Sequence, residues 1–570
     1  MSAPRILRVA GPLVELTYEA GTAMHDLVLL GESGLPSEVV AIRGSVVTVQ
    51  AYEYTGGLAP GMPARPRGRP LSVRLGPGLL GGVFDGLLRP LRSAGDRLSG
   101  GASGAPPPDD AWQFEPCVRQ GESVDEGAAL GSVRLSVPLK VLAPPGSSGS
   151  VSWVAPAGRY ASDAVVAAVD GGEVRLSAEW PARKPRPARE RLDAVVPLTT
   201  GQRAIDLLFP MVRGSTVAVP GGFGTGKTVL LQQIAKWCDA DVIVYVGCGE
   251  RGNEMADVLD ELHRLADPRT GGQLADRTVV IANTSDMPMM AREASVHTSA
   301  TVAEYFRDMG LHAVLIADST SRWAEALREF ASRMGELPSE EGYPARLASE
   351  LAAFYERAAT VRTLGGTTGS VTVIGAVSPP GGDFTEPVTA HTERFVRSLW
   401  TLDRELAYAR HYPALSWSAS FSRDVTAVAA AHAAAGDREW AERRERVAGL
   451  LTEADRLADL VELVGVTALP PGERVSVLGG RLTREAILQQ NAMAPGDAYS
   501  SPEKTTALVT AVLAVIERCA DLADSAERAD AVEEVDFTPL VRAREEAGPN
   551  DVAAVTTARE AILQRLGELV

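Results

Sequence analysis

The feature that most constrains this chain is a glycine-rich loop between an apolar strand and a helix. Residues 215–219, Ser-Thr-Val-Ala-Val, have the pattern of a buried strand, and residues 229–234 open a helix. Between them stands Gly221-Gly222-Phe223-Gly224-Thr225-Gly226-Lys227-Thr228, which matches the phosphate-binding pattern G-x-x-x-x-G-K-[ST] in its required strand–loop–helix context. The sequence therefore predicts a nucleotide-binding α/β domain built on a parallel sheet.

Each part of this loop has a physical task in binding ATP and Mg²⁺. Glycines let the backbone approach the phosphates with N–H groups turned inward, and the helix N-terminus adds partial positive charge. Lys227 is expected to reach the β- and γ-phosphates, and the Thr228 hydroxyl to bind Mg²⁺. The alternative is a glycine-rich turn in which Lys-Thr occurs by chance. Only five of the 56 basic residues are lysines, so a lysine at this position argues against that alternative. A dinucleotide-binding fingerprint fails, because its third glycine would fall on Lys227.

Three more apolar segments, residues 242–246, 313–317 and 371–377, are each followed by polar or glycine-rich residues. The first leads to Glu250, the second to Asp318, and the third to a Ser-Pro-Pro-Gly-Gly-Asp turn. Open parallel sheets bind ligands at the carboxyl ends of their strands, so these groups are predicted to converge on one nucleotide. A surface turn for Glu250 and a solvated helix cap for Asp318 are the alternatives.

Composition excludes several classes of protein. A net charge of −17 argues against nucleic acid as a partner, because binding to phosphate backbones depends on Lys and Arg. No run of eighteen apolar residues occurs, so neither a membrane span nor a secretory signal is expected. The four cysteines are scattered without a C-x-x-C pair, and the seven histidines form no ligand-spaced cluster. Reduced thiols in or near the core are expected, not disulfides or a zinc site.

The length of 570 residues exceeds what one core of about 250–300 residues can bury, so several domains are expected. Short β-rich stretches open the chain, and breaks rich in Gly, Ser and Pro bracket a second β-rich module. The predicted organisation is a β-barrel over 1–70, the start of the nucleotide-binding domain and a linker over 71–109, a β-rich insertion over 110–187, the phosphate-loop domain over 188–422 and a helical bundle over 423–570.

Long stretches around these motifs resemble the catalytic A (alpha) subunits of V-type or archaeal-type rotary ATPases. The matching stretches cover residues 75–86, 201–206, 221–229, 247–255, 317–329 and 378–384. The module from Asp110 to Lys184 resembles the bulge insertion that separates A subunits from F-type beta subunits. The resemblance implies a RecA-like P-loop NTPase core with an N-terminal β-barrel, a bulge insertion and a C-terminal helical bundle.

The same resemblance implies a function and its partners. It implies coupling of ATP hydrolysis or synthesis to H⁺ or Na⁺ transport, in an alternating hexamer with non-catalytic B subunits around a central rotor shaft. Peripheral stalk subunits, an indirect link to the membrane rotary sector and a place at the cytoplasmic face of the membrane are implied as well. The ion and the physiological direction of turnover are left open. The competing interpretations are a secretion or RNA-translocating motor and a regulatory nucleotide-binding subunit.

The resemblance also implies a role for each site residue. Lys227, Glu250 and Arg251 are expected to be catalytic, with Glu250 orienting the attacking water as base and Arg251 helping to place the γ-phosphate. Thr228 and Asp318 are expected to hold Mg²⁺, the aspartate through water. The expected contacts with ATP or ADP are Gly221, Gly222, Phe223, Gly224, Thr225, Gly226, Lys227, Thr228, Val229, Tyr412, Gln490 and Met493.

The chain departs from the family pattern at three places. Met493 stands where the family usually has Phe, which replaces an aromatic wall of the adenine pocket with a thioether. Tyr412 is expected to keep an aromatic on one side, with an ordinary packed aromatic as the alternative. Thr225 stands where eukaryotic A subunits often have Cys, so redox control there is not expected. Residues 467–473 align loosely with the rotor-touching loop of the related beta subunits but contain fewer acidic residues than that loop.

Overall fold

The computed structural model of the protein describes residues 4–91, 111–193, 195–267, 269 and 271–569. The Gly-, Ser- and Pro-rich linker predicted before the insertion lies largely in 92–110, outside these residues. In chain order the strands are β1 (Ile6–Ala10), β2 (Leu13–Thr17), β3 (Asp26–Leu30), β4 (Leu35–Arg43), β5 (Val46–Ala51), β6 (Ala64–Pro70), β7 (Ser72–Leu75), β8 (Val83–Phe84), β9 (Ala111–Pro116), β10 (Ser123–Val124), β11 (Ala129–Val133), β12 (Leu139–Leu142), β13 (Gly149–Val154), β14 (Gly158–Ala161), β15 (Val165–Val169), β16 (Gly172–Arg175), β17 (Ala178–Pro181), β18 (Glu190–Leu192), β19 (Pro197–Leu198), β20 (Met211–Val212), β21 (Thr216–Pro220), β22 (Val242–Glu250), β23 (Thr278–Thr284), β24 (His312–Asp318), β25 (Ala359–Arg362), β26 (Thr368–Val377), β27 (Ser398–Leu399) and β28 (Phe421–Ser422).

The helices are concentrated after residue 200. They are α1 (Arg203–Leu208), α2 (Lys227–Trp237), α3 (Gly252–Arg264), α4 (Met289–Asp308), α5 (Thr320–Met334), α6 (Leu347–Tyr355), α7 (Pro387–Phe395), α8 (Arg404–Tyr408), α9 (Val425–Ala434), α10 (Trp440–Val464), α11 (Pro471–Leu482), α12 (Pro502–Leu522), α13 (Ala526–Glu533), α14 (Thr538–Glu546) and α15 (Val552–Gly567). None of those within the described residues is both long and apolar enough to cross a membrane.

The chain packs into two compact units. The first consists of Met1–Asp193, Ala240–Val377 and Thr385–Phe395, and the second of Ala194–Asp239, Ser378–Phe384 and Val396–Val570. The segment that carries the glycine-rich loop therefore packs with the C-terminal helices. The domain boundaries derived from composition stay predictions.

The first unit begins with an antiparallel β-barrel. Its strands follow the order β1-β2-β5-β4-β3-β6, and a bridge between Arg5 and Pro63 brings the two edges together. Alternate residues point inward, as the period of a strand requires, and Val14, Val28 and Val39 are fully buried. The insertion that follows is a sandwich of two four-stranded sheets, β12-β11-β9-β14 and β10-β13-β15-β16.

The α/β core of the first unit contains a sheet in the order β26-β24-β22-β23-β8, with all of these pairs parallel. Residues 242–249 of β22 are buried without interruption, as expected for a strand covered on both faces. The register pairs Gly247 of β22 with Asp318 at the end of β24. The carboxyl ends of these two strands therefore lie side by side.

The second unit contains the short sheet β28-β27-β21 and the helices α9 to α15. Its helical part is held by apolar faces, with Val447, Leu457, Leu508 and Val512 buried. These two units confirm the predicted fold class of a multidomain α/β protein with a C-terminal helical bundle. One thiol departs from expectation, because Cys117 follows β9 on the solvent side of the insertion and is exposed.

A buried ion cluster ties the barrel of the first unit to its α/β core. Arg183 donates to both carboxylate oxygens of Glu293 on α4, at 2.6 and 2.5 Å, and to Glu38 of the barrel at 3.3 Å. The hydroxyl of Tyr52 also donates to Glu38. Burial alone would raise the pKa of each carboxyl, but the Arg183 guanidinium holds the pKa of Glu38 and of Glu293 below the ordinary value.

Replacing Arg183 should strongly destabilise the first unit. We expect Arg183→Met to cost about 3–5 kcal/mol, because it removes the arginine that two buried carboxylates share and leaves each with only a histidine as basic partner, His25 for Glu38 and His297 for Glu293. Urea unfolding followed by circular dichroism measures the loss. Arg134→Met is the matched control, since Arg134 pairs with Glu115 on the surface and such pairs contribute less than about 1 kcal/mol. Equal stability of the two variants would contradict this account of the cluster.

Candidate functional site

The glycine-rich loop connects β21 to α2 in the second unit. Gly224 and Gly226 both adopt positive φ, 80° and 83°, which the turn into the helix needs and which other residues rarely adopt. The Thr225 hydroxyl donates to the carbonyl of Gly222 at 2.9 Å and so fixes the loop internally. Phe223 is 90% exposed at the tip. The two glycines and this hydrogen bond together define the turn of the loop.

Lys227 begins α2, and its ammonium is positioned at the mouth of the loop. Nζ donates to the carbonyl of Gly221 at 3.1 Å and to the hydroxyl of Ser378 at 2.5 Å. Thr228 follows in the first turn and is half-buried, whereas Val229 is exposed. The cation therefore stands beside the N–H groups at a helix N-terminus, the arrangement that binds phosphate.

A cavity of about 480 Å³ lies beside this loop, also within the second unit. Its lining residues come from the loop end, from the segment around Tyr412, from residues 489–493 and from Arg544 and Glu545. The Tyr412 ring packs against the loop at Gly226. A Cβ atom at Gly226 would lie only 3.3 Å from Cε1 of that ring. An apolar cavity with one aromatic wall next to a phosphate site suits a nucleotide base.

Gln490 and Met493, both expected near the adenine base, have different environments. Gln490 is buried and bonded at both ends of its amide, since Oε1 accepts from the N–H of Arg203 at 2.8 Å and Nε2 donates to the carbonyl of Gly201 at 2.8 Å. Met493 lines the cavity but is 90% exposed. Gln490 therefore orders the wall of the cavity, and Met493 forms part of its open rim.

The carboxylates lie in the first unit, at the ends of β22 and β24. Asp318 is 3% exposed and accepts a hydrogen bond from the Tyr245 hydroxyl at 3.2 Å. Glu250 ends β22, and Arg251 follows as the exposed cap of α3. Gly249 adopts φ 74°, and a Cβ there would lie 2.9 Å from Cβ of Arg322. The chain thus reaches Glu250 through a position that only glycine fills without strain.

The surroundings of Glu250 alter its acidity. Burial, the charge of Asp318 and a hydrogen bond with Glu254 raise the pKa of Glu250 to about 7, although the Arg322 cation acts in the opposite direction. A carboxyl group that titrates near neutral pH can both accept and release a proton there.

Sequence reasoning missed two contributors to this environment. Glu254 lies in the first turn of α3, four residues after Glu250, and Arg322 lies in the first turn of α5. A second acidic residue at that spacing was the available signal for Glu254. Arg322 gave no signal, because its proximity to Glu250 depends on the pairing of β22 with β24.

Comparison with known proteins gives four family matches along the chain. Residues 201–422 match the ATP synthase alpha/beta family, nucleotide-binding domain. Residues 6–68 match the beta-barrel domain of the same family, and 107–183 match the ATPsynthase alpha/beta subunit barrel-sandwich domain. Residues 431–525 match the C-terminal domain of V and A type ATP synthase.

Relatives resemble the chain over most of its length. A V-type ATP synthase alpha chain of Anaeromyxobacter dehalogenans (strain 2CP-C) is 50% identical over 88% of this chain and 87% of its own. A V-type ATP synthase alpha chain of Nitrosococcus oceani is 47% identical over 91% of this chain and 90% of its own. The assembled ATPase EscN of an enteropathogenic E. coli type III secretion system shares the fold, with a TM-score of 0.65, 23% identity and coverage of 90% of this chain and 100% of that one.

Removing the loop cation should weaken nucleotide binding. We expect Lys227→Ala to reduce the affinity for ATP and to abolish turnover, because the phosphate charge loses its point partner. Titration calorimetry and a phosphate-release assay measure the two effects. Lys236→Ala, in the last turn of the same helix, is the control and should bind ATP as the unmodified chain does. Unchanged affinity and rate in Lys227→Ala would contradict the assignment of the loop.

Proposed function

Because this chain belongs to the A (alpha) subunits of V/A-type ATP synthases, we propose that Lys227, Glu250 and Arg251 catalyse phosphoryl transfer between ATP and water. The chain is the catalytic subunit of a rotary ATPase or ATP synthase. The observation that carries the residue assignment is Lys227 Nζ, held by Gly221 and Ser378 at the opening of the glycine-rich loop. Its positive charge offsets the charge that develops on the transferred phosphoryl group.

Glu250 is the proposed base. Its carboxylate accepts the proton of the attacking water, and a pKa of about 7 matches that task at neutral pH. In synthesis the same group, protonated, returns the proton as water leaves. Arg251, exposed at the start of α3, is proposed to help place the γ-phosphate.

The residues proposed to hold Mg²⁺ supply suitable ligands. Thr228 offers a hydroxyl oxygen, and Asp318 offers a buried carboxylate held by Tyr245, which are the hard oxygen donors that Mg²⁺ prefers. Bound there, Mg²⁺ would neutralise phosphate charge.

Membership of this family places the chain in a multisubunit rotary complex. We propose that it alternates with three non-catalytic B subunits around a central rotor shaft, with peripheral stalk subunits outside the ring. We further propose that the complex stands on the cytoplasmic face of the membrane and couples turnover to H⁺ or Na⁺ transport. The matches to the barrel-sandwich and V/A-type C-terminal domains favour this assembly over a secretion motor. The raised pKa of Glu250 favours a catalytic subunit over a regulatory one.

Replacing the proposed base should separate binding from turnover. We expect Glu250→Gln to keep its affinity for ATP and to lose a factor of about 10² to 10⁴ or more in rate, because an amide cannot accept the proton. In the unmodified enzyme the rate should rise as pH increases through about 7, since the protonated carboxyl is inactive as a base. Steady-state rates of the assembled complex between pH 5.5 and 8.5 test both points.

Asp257→Asn is the matched control for this experiment, because Asp257 lies on the exposed face of α3. It should keep the rate and the pH profile of the unmodified complex. A Glu250→Gln complex with near-normal turnover would assign the base to another residue.

The proposed partner should be needed for full activity. Rotary ATPases take an arginine finger from the neighbouring protein of the ring, and a finger supplied by a partner contributes about 10³ to 10⁵ in rate. We expect the isolated chain to bind ATP yet hydrolyse it very slowly, and the B subunit to restore turnover with little change in affinity. ATPase rates at matched concentrations, with and without B subunit, measure this. Full activity of a chain shown to be monomeric by sedimentation would contradict the shared site.

A further inference from the structure

The 480 Å³ cavity beside the glycine-rich loop, here called the base cavity because it suits the adenine base of a nucleotide, has two walls that are remote from each other in the sequence. One wall is the loop of residues 489–493, and the other is formed by Arg544 and Glu545 at the end of α14. Neither wall is a strand or a helix interior that would hold it rigidly. The side chains of the two walls meet in one long, exposed hydrogen bond, from Asn491 Nδ2 to Glu545 Oε1 at 3.5 Å, and the backbones behind them are joined by a third group.

Lys504 donates hydrogen bonds to backbone carbonyls next to both walls of this cavity. It lies in the first turn of α12, is fully buried, and donates to three carbonyl oxygens. Nζ is 2.7 Å from the carbonyl of Gly496, just past the loop wall, and 2.8 and 3.0 Å from those of Arg544 and Ala547. One ammonium group thus joins the two walls.

The positive charge of Lys504 lies at an unfavourable end of its own helix and is stabilised by the end of another. The N-terminus of α12 carries partial positive charge, which disfavours a lysine in its first turn. The carbonyls at the C-terminus of α14 carry partial negative charge and are the natural acceptors for a cation. A compact ammonium can meet three converging carbonyls, whereas a planar guanidinium cannot, and Lys504 is one of only five lysines in the chain.

Two neighbours extend the connection to the loop itself. At Gly496 the backbones are so close that a Cβ would lie 2.2 Å from the carbonyl oxygen of Glu545. Asp497 accepts from the N–H of Asn491 at 2.6 Å and pairs with the buried Arg203 at 2.6 Å. Arg203 in turn donates to the carbonyls of residues 487 and 489, at 2.8 and 2.6 Å.

We infer that Lys504 is a positioning residue that sets the width of the base cavity and, through it, the affinity of this site for the adenine of ATP. The inference rests on the proposed function, because it takes this cavity to be where the base of a bound nucleotide lies. Lys504 touches no nucleotide itself, and it acts through the Gly496 and Arg544 backbones. Its loss should therefore affect base binding and leave phosphate binding intact.

The charge of Lys504 should matter as well as its shape. Burial lowers its pKa to about 8, with the Arg203 cation acting in the same direction and Asp497 and Asp551 in the opposite one. A neutral amine has two N–H groups for three carbonyls, so one wall loses its bond. Affinity for ATP should then fall as pH rises through about 8, while affinity for tripolyphosphate should not follow it.

The test compares two Mg²⁺-loaded probes, ATP and inorganic tripolyphosphate, on the full chain by titration calorimetry. We expect Lys504→Met to raise the Kd for ATP about tenfold, since small displacements of a binding wall have effects of that size, and the Kd for tripolyphosphate less than about twofold. Lys184→Met removes an exposed lysine of the first unit and should change neither value.

A second variant keeps the cation and disturbs only the spacing. Gly496→Ala should force the Glu545 carbonyl away and give the same base-selective loss, whereas Gly449→Ala, with open space around its Cβ, should not. Wild-type affinity for ATP in both Lys504→Met and Gly496→Ala would overturn the inference. So would a loss of affinity for tripolyphosphate as large as the loss of affinity for ATP. An unmodified chain that fails to bind ATP would instead contradict the proposed function, and this inference with it.

Discussion

The chemistry of this protein depends on one constraint, which is that a parallel strand buried on both faces carries its carboxylates where the strand ends. In β22 and β24 no carboxyl group precedes Glu250 and Asp318. Because the strands are parallel and in register, their ends coincide, and the two carboxyls share one environment. That proximity, added to burial, is what raises the pKa of Glu250.

Cationic side chains that are buried or half-buried link segments of the fold that are remote in the sequence. Arg183 joins the barrel to α4 through two carboxylates, Arg203 holds the loop before Gln490, and Lys504 joins that loop to α14. Each is bonded to acceptors from segments that are far apart in the sequence. In a chain with a net charge of −17, these cations add polar links to the apolar contacts within each unit.

Sequence reasoning was most successful where local pattern decides structure. The glycine-rich loop, the four apolar strands and the positions of Glu250 and Asp318 follow from apolar runs and the residues that end them. Gln490 stays a predicted nucleotide contact, but its hydrogen bonds with Arg203 and Gly201, which are remote in the sequence, are revealed by no local pattern. The exposure of Met493 and the proximity of Arg322 to Glu250 depend equally on tertiary packing.

The scarcity of lysine makes this protein easy to follow by chemical labelling. An amine-reactive reagent has only five side-chain targets, and two of them, Lys227 and Lys504, adjoin the nucleotide cavity at different depths. Lys227 is half-buried and, under the proposed function, would be shielded by phosphate bound in the loop, whereas the fully buried Lys504 would react only when the carbonyls around it separate. Mass spectrometry of two peptides therefore distinguishes occupancy of the loop from opening of the cavity wall.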